Sequence, residues 1–326
     1  MLASLAVQLR QSLSLLQKQD IQIAAKFHSS FANKTTSAIR VGDDCAAIPD
    51  GDGYLLFAAE GMLPEFLETE PWFAGWSAIM VNASDIYAMG GRPIAVVDTL
   101  WSQPQDTARI SIDRIWAGMN AAAQAYQIPI VGGHTNCHST YNALSVAILG
   151  RAQKLISSFT ARPGDRLLLA IDLRGKPHPH YPFWDAATTA PPERLRQNLA
   201  ILPHLAEAKL CDTGKDISNG GLIGTVLMLL ETSSCGAVLN LDWIPRPDGV
   251  SLDRWLLSFP SYGFLLSVRR DRVAAVRDCF QEQDLICAII GEVEVGAKLT
   301  LRSQQEEVLF WDLEQKALTG FGGIKP

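Results

Sequence analysis

Asn82 and Asp85 lie in an otherwise apolar stretch, VNASDIYAMGGRP, that runs from Val81 to Pro93. The pattern of apolar residues predicts a helix over 74–89, on which these two side chains, three positions apart, share a face. An ionised aspartate on a largely apolar helix is costly unless it is paired, hydrogen-bonded or bound to a cation. The stretch therefore indicates either a cation ligand or a core acid that bonds a neighbouring helix terminus.

Two further aspartates, Asp43 and Asp44, follow Gly42 in the segment VGDDCAA, at what we predict to be the end of a strand. A sharp turn there presents both carboxylates to one cavity, and hard oxygen ligands suit magnesium that carries nucleotide phosphates. The alternative is a surface turn, because Gly-Asp pairs are common turn formers. Glu60 ends the next apolar strand, at a frequent site position in α/β folds that solvated residues also occupy.

Glycines stand beside polar residues in the segment IVGGHTN, 130–136. We expect a strand that runs into Gly132 and Gly133, whose backbone N–H groups can approach phosphate oxygens closely. His134 and Thr135 are then expected to point into the same space. The alternative for His134 is a hydrogen-bonded structural histidine.

A second glycine-rich segment, GKDISNGGLIG, spans 214–224. Asp216 and Ser218 precede a glycine-opened helix whose N-terminus is suited to an anion. The segment is not a P-loop, because Asp216 follows Lys215 where that motif requires Ser or Thr. The sequence also lacks GxGxxG, GxSxG and HExxH motifs, which disfavours a Rossmann dehydrogenase, an α/β-hydrolase and a zincin.

The bulk composition narrows the class of partner. The chain has 326 residues, enough for two domains, and a formal net charge of −6. No excess of basic residues is present to neutralise nucleic-acid phosphates, so a small molecule is the expected partner, and an anionic one requires a metal cation. The six scattered cysteines indicate reduced thiols and a cytoplasmic protein.

The N-terminal segment predicts an amphipathic helix rather than a targeting sequence. Its apolar face is expected to consist of leucines spaced three and four apart, namely Leu2, Leu5, Leu9, Leu13 and Leu16. No apolar run approaches the roughly 20 residues that span a bilayer, so we expect no membrane segment.

The remaining pattern is mixed α and β. Short apolar runs bounded by Gly, Pro or Asn predict strands at 53–61, 92–100, 128–133, 142–150, 236–241, 262–268 and 285–293. Apolar spacing predicts helices at 73–89, 107–125, 194–208, 219–233 and 271–283. We expect a helical extension over 1–37, an N-terminal domain over 38–155 and a C-terminal domain over 156–326.

In this order, the motifs GDD, NASDIYAMGGRP, GGHT, ARPGD and DISNGG resemble those of the AIR synthetase superfamily, which includes thiamine-monophosphate kinase, selenophosphate synthetase and the hydrogenase-maturation protein HypE. The resemblance covers roughly 38–295 and is most specific over 82–93. It implies a two-domain α/β fold with mixed sheets, in which the N-terminal domain, 38–155, is the ATP- and magnesium-binding domain. It also implies a homodimer whose N-terminal sheets join in a barrel, and ATP held in a cleft with magnesium ions.

The resemblance also implies roles for individual residues. Asp43, Asp44, Glu60, Asp85 and Asp216 are expected to ligate magnesium, with Asp85 as the bridging ligand and Asp43, Asp85 and Asp216 at the catalytic centre. Nucleotide contacts are expected from Asn82, Gly132, Gly133, His134, Thr135 and Ser218.

The chain also departs from the family pattern. Asn219 stands where thiamine-phosphate kinases have a second aspartate, and 1–37 lacks the cysteine-plus-lysine segment of selenophosphate synthetases. No cysteine follows Cys287, whereas HypE has one near its C-terminus. The stretch 174–192, with His178, His180, Tyr181, Phe183 and Trp184, is either a loop that binds the acceptor or a proline-rich surface loop.

We therefore expect an ATP- and magnesium-dependent phosphotransferase that acts on an oxygen of a small metabolite, as a kinase or as the activating step of a synthetase. Two alternatives are a selenophosphate-synthetase-like activity and a nucleotide-binding protein without catalysis, the second motivated by Asn219. A metal-dependent hydrolase using Asp43, Asp85 and His134 is disfavoured, because such sites usually contain more histidine ligands.

Overall fold

The computed structural model describes residues 2–32, 39–104 and 111–322, and it divides into two compact units. The first unit comprises Met1–Asp43, Ile156–Ala187 and His204–Pro326, and the second comprises Asp44–Leu155 and Thr188–Pro203. The N-terminal helices thus group with the C-terminal part of the chain. The three predicted domains remain a prediction.

The second unit is built on a five-stranded sheet with the order β1-β2-β5-β3-β4. Its strands are β1 (Ala46–Asp50), β2 (Gly53–Met62), β3 (Arg92–Trp101), β4 (Ile130–Asn136) and β5 (Ala143–Ala152). Only β3 and β4 pair in parallel, and the other neighbours are antiparallel. In β5, Leu144, Val146 and Ile148 are buried while the intervening residues are more exposed, the alternation of a sheet with one covered face.

The covered face of this sheet packs against helices α4 (Pro64–Thr69) and α5 (Pro71–Ala88). Helix α6 (Ile112–Tyr126) packs against α5. Two glycines let α5 and α6 approach closely, since an added Cβ at Gly75 would lie 2.1 Å from Ile115 O and one at Gly118 would lie 1.9 Å from Trp72 O. Any side chain at either position would push the helices apart.

Helix α5 ends at a glycine pair. Gly90 has φ of +74°, a conformation that glycine adopts at no steric cost, and its N–H donates to Tyr87 O. Gly91 N donates to Ile86 O, and a Cβ at Gly91 would lie 2.4 Å from Leu56 Cδ1. The glycines therefore stop the helix and turn the chain into β3 without displacing the last turn, which carries Asp85.

The first unit contains a seven-stranded sheet with the order β15-β14-β10-β13-β6-β12-β9 and a three-stranded sheet with the order β11-β8-β7. Their strands are β6 (Arg166–Ile171), β7 (Lys176–Pro177), β8 (Phe183–Asp185), β9 (Gly214–Asp216), β10 (Gly236–Asn240), β11 (Phe259–Pro260), β12 (Gly263–Val268), β13 (Ile286–Glu294), β14 (Lys298–Ser303) and β15 (Glu306–Asp312). Neighbours in the larger sheet are antiparallel except β10 and β14.

Helices α8 (Gly221–Ser233), α9 (Leu252–Leu256) and α10 (Val273–Gln281) belong to this unit, and α7 (Pro192–Glu207) contributes residues to both units. Helix α8 is apolar on nearly all sides and is buried from Gly221 to Thr232, as expected of a core helix. Its buried Glu231 accepts hydrogen bonds from the backbone N–H groups of Leu318, Thr319 and Gly320. This carboxylate therefore holds the last described segment of the chain against the core.

The N-terminal segment forms α1 (Leu2–Arg10), α2 (Leu13–Gln17), a 3₁₀ turn and α3 (Ile21–Ala32). Leu2, Leu9 and Leu15 are buried, whereas Leu13 is 70% exposed and Leu16 is 40% exposed. The expectation of one continuous apolar face was therefore wrong for Leu13 and Leu16. Ser12 is extended, with ψ of 135°, and this break between α1 and α2 shifts the phase of the helical repeat.

Two other sequence expectations differ from the structure. The strand predicted before Asp43 and Asp44 is absent from the described residues 39–45, and β1 begins after them at Ala46. The predicted helix 107–125 corresponds to α6, but 107–110 lie outside the described residues. Among the helices of the described ranges, none has both the length and the apolar character needed to cross a bilayer.

Candidate metal and nucleotide site

Helix α5 places Asn82 and Asp85 in a buried setting, where 0% and 7% of these residues are exposed. Asn82 Nδ2 donates to Ala78 O, one turn earlier, at 2.8 Å. This bond fixes the orientation of the side-chain amide. The amide oxygen, Oδ1, has no hydrogen-bond partner within the described residues. A buried amide oxygen in this state is suited to accept a donor or a cation from a ligand.

Asp44 is the acidic neighbour of Asp85 in the second unit. One carboxylate oxygen of each residue lies within 4.8 Å of the other. Two carboxylates this close repel one another when both are ionised, and a cation between them removes the repulsion. Carboxylate oxygens are the hard ligands that magnesium binds, so Asp44 and Asp85 fit a magnesium site.

Asp43, although adjacent to Asp44 in the chain, has its partners in the first unit. Its Oδ2 accepts hydrogen bonds from Ser157 Oγ at 2.7 Å and from Ser158 N at 2.9 Å. Its Oδ1 lies 3.7 Å from Lys215 Nζ, in a pair whose side chains are 2% and 5% exposed. Gly42, the residue before Asp43, has φ of +116°. Phe321 packs directly against Gly42, since an added Cβ at Gly42 would lie 2.6 Å from Phe321 Cγ.

Asp216 and Ser218 flank the end of β9 in the first unit. Asp216 is 4% exposed and pairs with Phe264 of β12. Ser218 Oγ accepts a hydrogen bond from Lys18 Nζ at 3.0 Å. Sequence reasoning missed Lys18, which stands in an N-terminal segment without a recognisable motif, and nothing in the spacing of residues indicates this contact.

The loop after Ser218 is shaped by glycines and by Asn219. Gly220 and Gly221 have φ of +96° and +64°, which glycine tolerates, and Asn219 Oδ1 accepts from Gly220 N at 3.1 Å. Asn219 therefore uses its side-chain oxygen within the loop that opens α8.

The strand predicted at 128–133 is β4, which continues to Asn136, so His134 and Thr135 lie within the strand and not beyond its end. Because alternate residues of a strand point to opposite faces, His134 and Thr135 do not point into one space, which corrects that expectation. The His134 ring lies 5.8 Å from that of Trp101, whereas Thr135 stands opposite Leu100. The roles of Gly132, Gly133, His134 and Thr135 in nucleotide binding remain predictions.

Glu60 lies within β2, opposite Val146 of β5, and it is exposed. Its backbone oxygen accepts a hydrogen bond from Ser145 Oγ at 3.0 Å. In the part of the chain that the structure describes, Glu60 is not grouped with Asp44 and Asp85. Its role as a magnesium ligand remains a prediction.

A buried acid that the sequence did not single out, Asp98, lies on the covered face of the sheet. It is 4% exposed, and burial raises its pKa above the usual range. Asp98 stands opposite Gly133, where an added Cβ would lie 2.3 Å from Asp98 Oδ1. Gly133 is therefore required for this carboxyl to fit, and the signal in the sequence is the unusual aspartate inside an apolar strand.

The stretch 174–192 divides into core and surface residues. Phe183 and Trp184 are buried, and Trp184 Nε1 donates to Asp172 O at 3.0 Å, so these two residues are core residues rather than acceptor contacts. His178, His180 and Tyr181 are more exposed, with the His178 ring 5.4 Å from that of Tyr181. Their role in binding an acceptor remains a prediction.

The six cysteines form no disulfide. Burial raises the pKa of Cys211 and of Cys287 to about 12, so both remain thiols at neutral pH. These cysteines are packing residues rather than reactive groups.

Known proteins resemble this chain over most of its length. An uncharacterised protein of Synechocystis sp. is 57% identical over 324 residues, which is 99% of each chain. The thiamine-monophosphate kinase of Pyrococcus abyssi is 26% identical over 291 residues, covering 83% of this chain and 90% of the kinase.

Solved structures share the fold. A ThiL structure complexed with AMPPCP and TMP has a TM-score of 0.66 and 21% identity, with coverage of 86% of this chain and 93% of that one. T. maritima PurL complexed with ATP has a TM-score of 0.68 and 19% identity over 85% of this chain, which spans only 46% of PurL. The predicted two-domain fold is confirmed, while the dimeric barrel remains a prediction.

Two family models match successive parts of the sequence. Residues 42–152 match the N-terminal domain of AIR synthase related proteins, and residues 176–304 match the C-terminal domain. Together with the 57% identity to the Synechocystis protein, these matches show that the chain belongs to the AIR synthase-related family.

Proposed function

We propose that this protein is an ATP- and magnesium-dependent phosphotransferase that acts on an oxygen atom of a small metabolite. The observation that carries the proposal is the pair of carboxylates, Asp44 and Asp85, within 4.8 Å of each other. The chain has a formal charge of −6, so bound cations are needed to offset its repulsion of a negatively charged nucleoside triphosphate. The similarity to thiamine-monophosphate kinases, and the ATP and AMPPCP complexes of structures with the same fold, support this assignment.

Phosphoryl transfer depends mainly on positioning and on the neutralisation of charge. Asp44 and Asp85 are the residues that hold magnesium in this proposal, and the Asn82 oxygen orients a ligand beside them. When bound, magnesium stabilises the negative charge of the transferring phosphoryl group. Because α5 is packed closely against α6 at Gly75 and Gly118, the two ligands on α5 are held in a fixed geometry.

Several further assignments follow from the family resemblance and stay predictions. They are magnesium binding by Asp43, Glu60 and Asp216, and nucleotide contacts by Gly132, Gly133, His134, Thr135 and Ser218. The acceptor is proposed only by class, as a small metabolite with a nucleophilic oxygen. We propose a cytoplasmic enzyme, in line with its reduced cysteines.

A second candidate function is nucleotide binding without catalysis. The observation that favours it is Asn219, which stands where thiamine-phosphate kinases have a second aspartate. Its side-chain oxygen accepts a hydrogen bond from Gly220 N. A coupled assay that detects ADP separates the two functions. Formation of ADP with any metabolite of a screen, abolished by Asp85→Asn, excludes the binding-only alternative.

We further propose a homodimer formed through the open face of the five-stranded sheet. Phe57, Val97 and Ile48 are 50%, 41% and 37% exposed, and both strand neighbours of Phe57 and of Val97 are more buried. Exposed apolar side chains that cluster on one face of a sheet mark an interaction surface. A second copy of the chain is the partner that the family resemblance implies.

Calorimetric titration with AMPPCP tests the main proposal. We expect wild-type protein to bind the analogue in the presence of Mg²⁺ and to bind it at least ten-fold more weakly in EDTA. Asp85→Asn should abolish this dependence on Mg²⁺. Asp52→Asn, which changes an exposed aspartate in the turn between β1 and β2, is the matched control and should behave as wild type. Binding that is equal with and without Mg²⁺ contradicts the proposal.

A further inference from the structure

The segment 317–322 follows the residues that the family models match, and a buried acid of α8 anchors it. The carboxylate of Glu231 accepts hydrogen bonds from three successive backbone N–H groups, 318–320, at 2.8, 2.8 and 3.2 Å. Hydrogen bonds to a charged acceptor are among the stronger ones, and loss of this acceptor would leave buried donors without a partner. Glu231 therefore fixes the backbone that leads directly into Phe321.

Helix α3 contacts the same segment. Gln22 Nε2 donates to Ala317 O at 3.0 Å and to Leu318 O at 3.1 Å. The ring of Phe321 lies 6.4 Å from the ring of His28, and Phe321 is only 9% exposed. The side chain of Phe321 is therefore packed within the first unit.

The partner of Phe321 is Gly42, the residue before the two adjacent aspartates. An added Cβ at Gly42 would lie 2.6 Å from Phe321 Cγ and 2.7 Å from Phe321 Cβ, and Gly42 has φ of +116°. Only glycine meets both conditions easily, yet glycine also has the greatest backbone freedom of any residue. The contact with Phe321 restricts that freedom directly before Asp43 and Asp44.

The contact of Phe321 is distinct from those that hold the side chain of Asp43. Ser157 Oγ and Ser158 N donate to the carboxylate of Asp43, at 2.7 and 2.9 Å, whereas Phe321 packs on the backbone of the residue before it. Side chain and backbone are thus fixed by separate parts of the first unit.

We propose that Phe321 and Glu231 are positioning residues for the metal site. Glu231 fixes the segment that carries Phe321, and Phe321 holds Gly42 in one conformation, so that the aspartates after it are presented to magnesium in one orientation. Removal of a residue that orients metal ligands without touching the metal typically weakens metal affinity about 10–100-fold. This inference rests on the proposed function, because it concerns the same metal site.

Titration of Mn²⁺ in the presence of AMPPCP, followed by electron paramagnetic resonance well below the melting temperatures, tests the role of Phe321. We expect Phe321→Ala to weaken Mn²⁺ binding at least ten-fold, because it frees the backbone of Gly42. Phe321→Leu keeps most of the apolar volume and should bind Mn²⁺ within three-fold of wild type. Val276→Ala, which truncates a buried side chain of α10, is the control for general loss of stability and should bind within two-fold.

Glu231→Gln tests the anchor. The amide keeps one acceptor oxygen and brings two N–H donors toward the backbone N–H groups that the carboxylate accepts from, so this variant should weaken Mn²⁺ binding at least three-fold. If Glu231→Gln does not fold, the comparison of Phe321→Ala with Phe321→Leu and Val276→Ala decides the question.

The outcomes separate this inference from the proposed function. Binding of Mn²⁺ by Phe321→Ala within two-fold of wild type, while Asp85→Asn loses binding, overturns this inference alone. A loss by Val276→Ala as large as that by Phe321→Ala also overturns it, because the effect would then reflect stability and not positioning. Unchanged Mn²⁺ binding by Asp85→Asn overturns the proposed function, and this inference with it.

Discussion

Lys18 Nζ donates a hydrogen bond to Ser218 Oγ at 3.0 Å, and so joins the N-terminal helices to the loop that opens α8, 200 residues later in the chain. The neighbouring contacts are also close, since an added Cβ at Gly220 would lie 3.6 Å from Lys18 Cε and from Ser14 O. The N-terminal segment therefore supports a loop for which the family resemblance predicts a nucleotide contact.

The Lys18–Ser218 bond is expected to contribute to the docking of this segment. In a double-mutant cycle with Lys18→Met and Ser218→Ala, we expect a coupling free energy of about 0.5–1.5 kcal/mol, the usual net contribution of one hydrogen bond. Denaturant unfolding measures it, with Lys154→Met, an exposed lysine of the second unit, as the control. A coupling of zero would show that the two side chains do not interact in solution.

Asp98→Asn is expected to stabilise the protein at neutral and alkaline pH. Burial raises the folded-state pKa of Asp98 above its ordinary value of 3.8, so the folded state retains a proton that the unfolded state releases. Stability is then fully present below pH 3.8 and falls as the pH rises through the folded-state pKa. Each unit by which the pKa is raised corresponds to about 1.4 kcal/mol.

Melting curves of Asp98→Asn and wild type from pH 4 to pH 8 measure this effect. The variant should have the higher melting temperature at pH 8, and the difference should shrink toward pH 4. The exposed Asp52→Asn is the control. A difference that does not depend on pH, or a variant less stable than wild type at pH 8, is incompatible with a protonation penalty at Asp98.

Gly118→Ala is expected to destabilise the second unit despite the higher helix propensity of alanine. The added Cβ would lie 1.9 Å from Trp72 O, a backbone atom that moves only if α5 moves. Overpacking of this kind costs about 1–3 kcal/mol, which exceeds the roughly 0.8–1.0 kcal/mol gained in helix propensity.

Gly61→Ala is the matched control for Gly118→Ala, because the nearest atom to its added Cβ, Leu144 O, is 4.0 Å away. Urea denaturation should show a change within about 0.5 kcal/mol for this control. Because α5 carries Asp85, Gly118→Ala should also weaken the magnesium-dependent binding of AMPPCP. Equal stability of Gly118→Ala and wild type would show that the close helix contact does not exist.

Phe57→Asp tests the proposed dimer. Phe57 is 50% exposed on the open face of the sheet, so a charge there disturbs an interface without disturbing the covered core. Analytical ultracentrifugation should show a dimer for wild type and a monomer for the variant. Val7→Asp, at another exposed apolar residue in the first unit, should remain dimeric. A wild-type protein that sediments as a monomer excludes the dimer.

The elements predicted correctly from the sequence are those whose signals come from residues close together in the chain. The predicted helix 73–89 corresponds to α5 at Pro71–Ala88, since its apolar spacing and its terminal glycines are features of adjacent residues. Asn82 and Asp85 were therefore identified from the sequence as a buried polar face. The short strands β7, β8, β9 and β11 have two or three residues each, too few to produce a periodic pattern, and they were not predicted.

The pairing of Asp43 with Lys215 and of Ser218 with Lys18 depends on tertiary structure. These partners lie far apart in the chain, and no spacing rule connects them. For the same reason the sequence placed Asp43 and Asp44 in one cavity, whereas their contacts differ. The strand predicted at 128–133 continues to Asn136, because β3 supplies a partner with which residues up to Asn136 pair.

The most direct test of the magnesium site is anomalous diffraction from crystals grown with AMPPCP and Mn²⁺. We predict an anomalous peak about 2–2.5 Å from carboxylate oxygens of both Asp44 and Asp85, the distance range of oxygen-ligated divalent cations in proteins. Crystals that contain the nucleotide but show no peak at Asp44 and Asp85 would contradict the account.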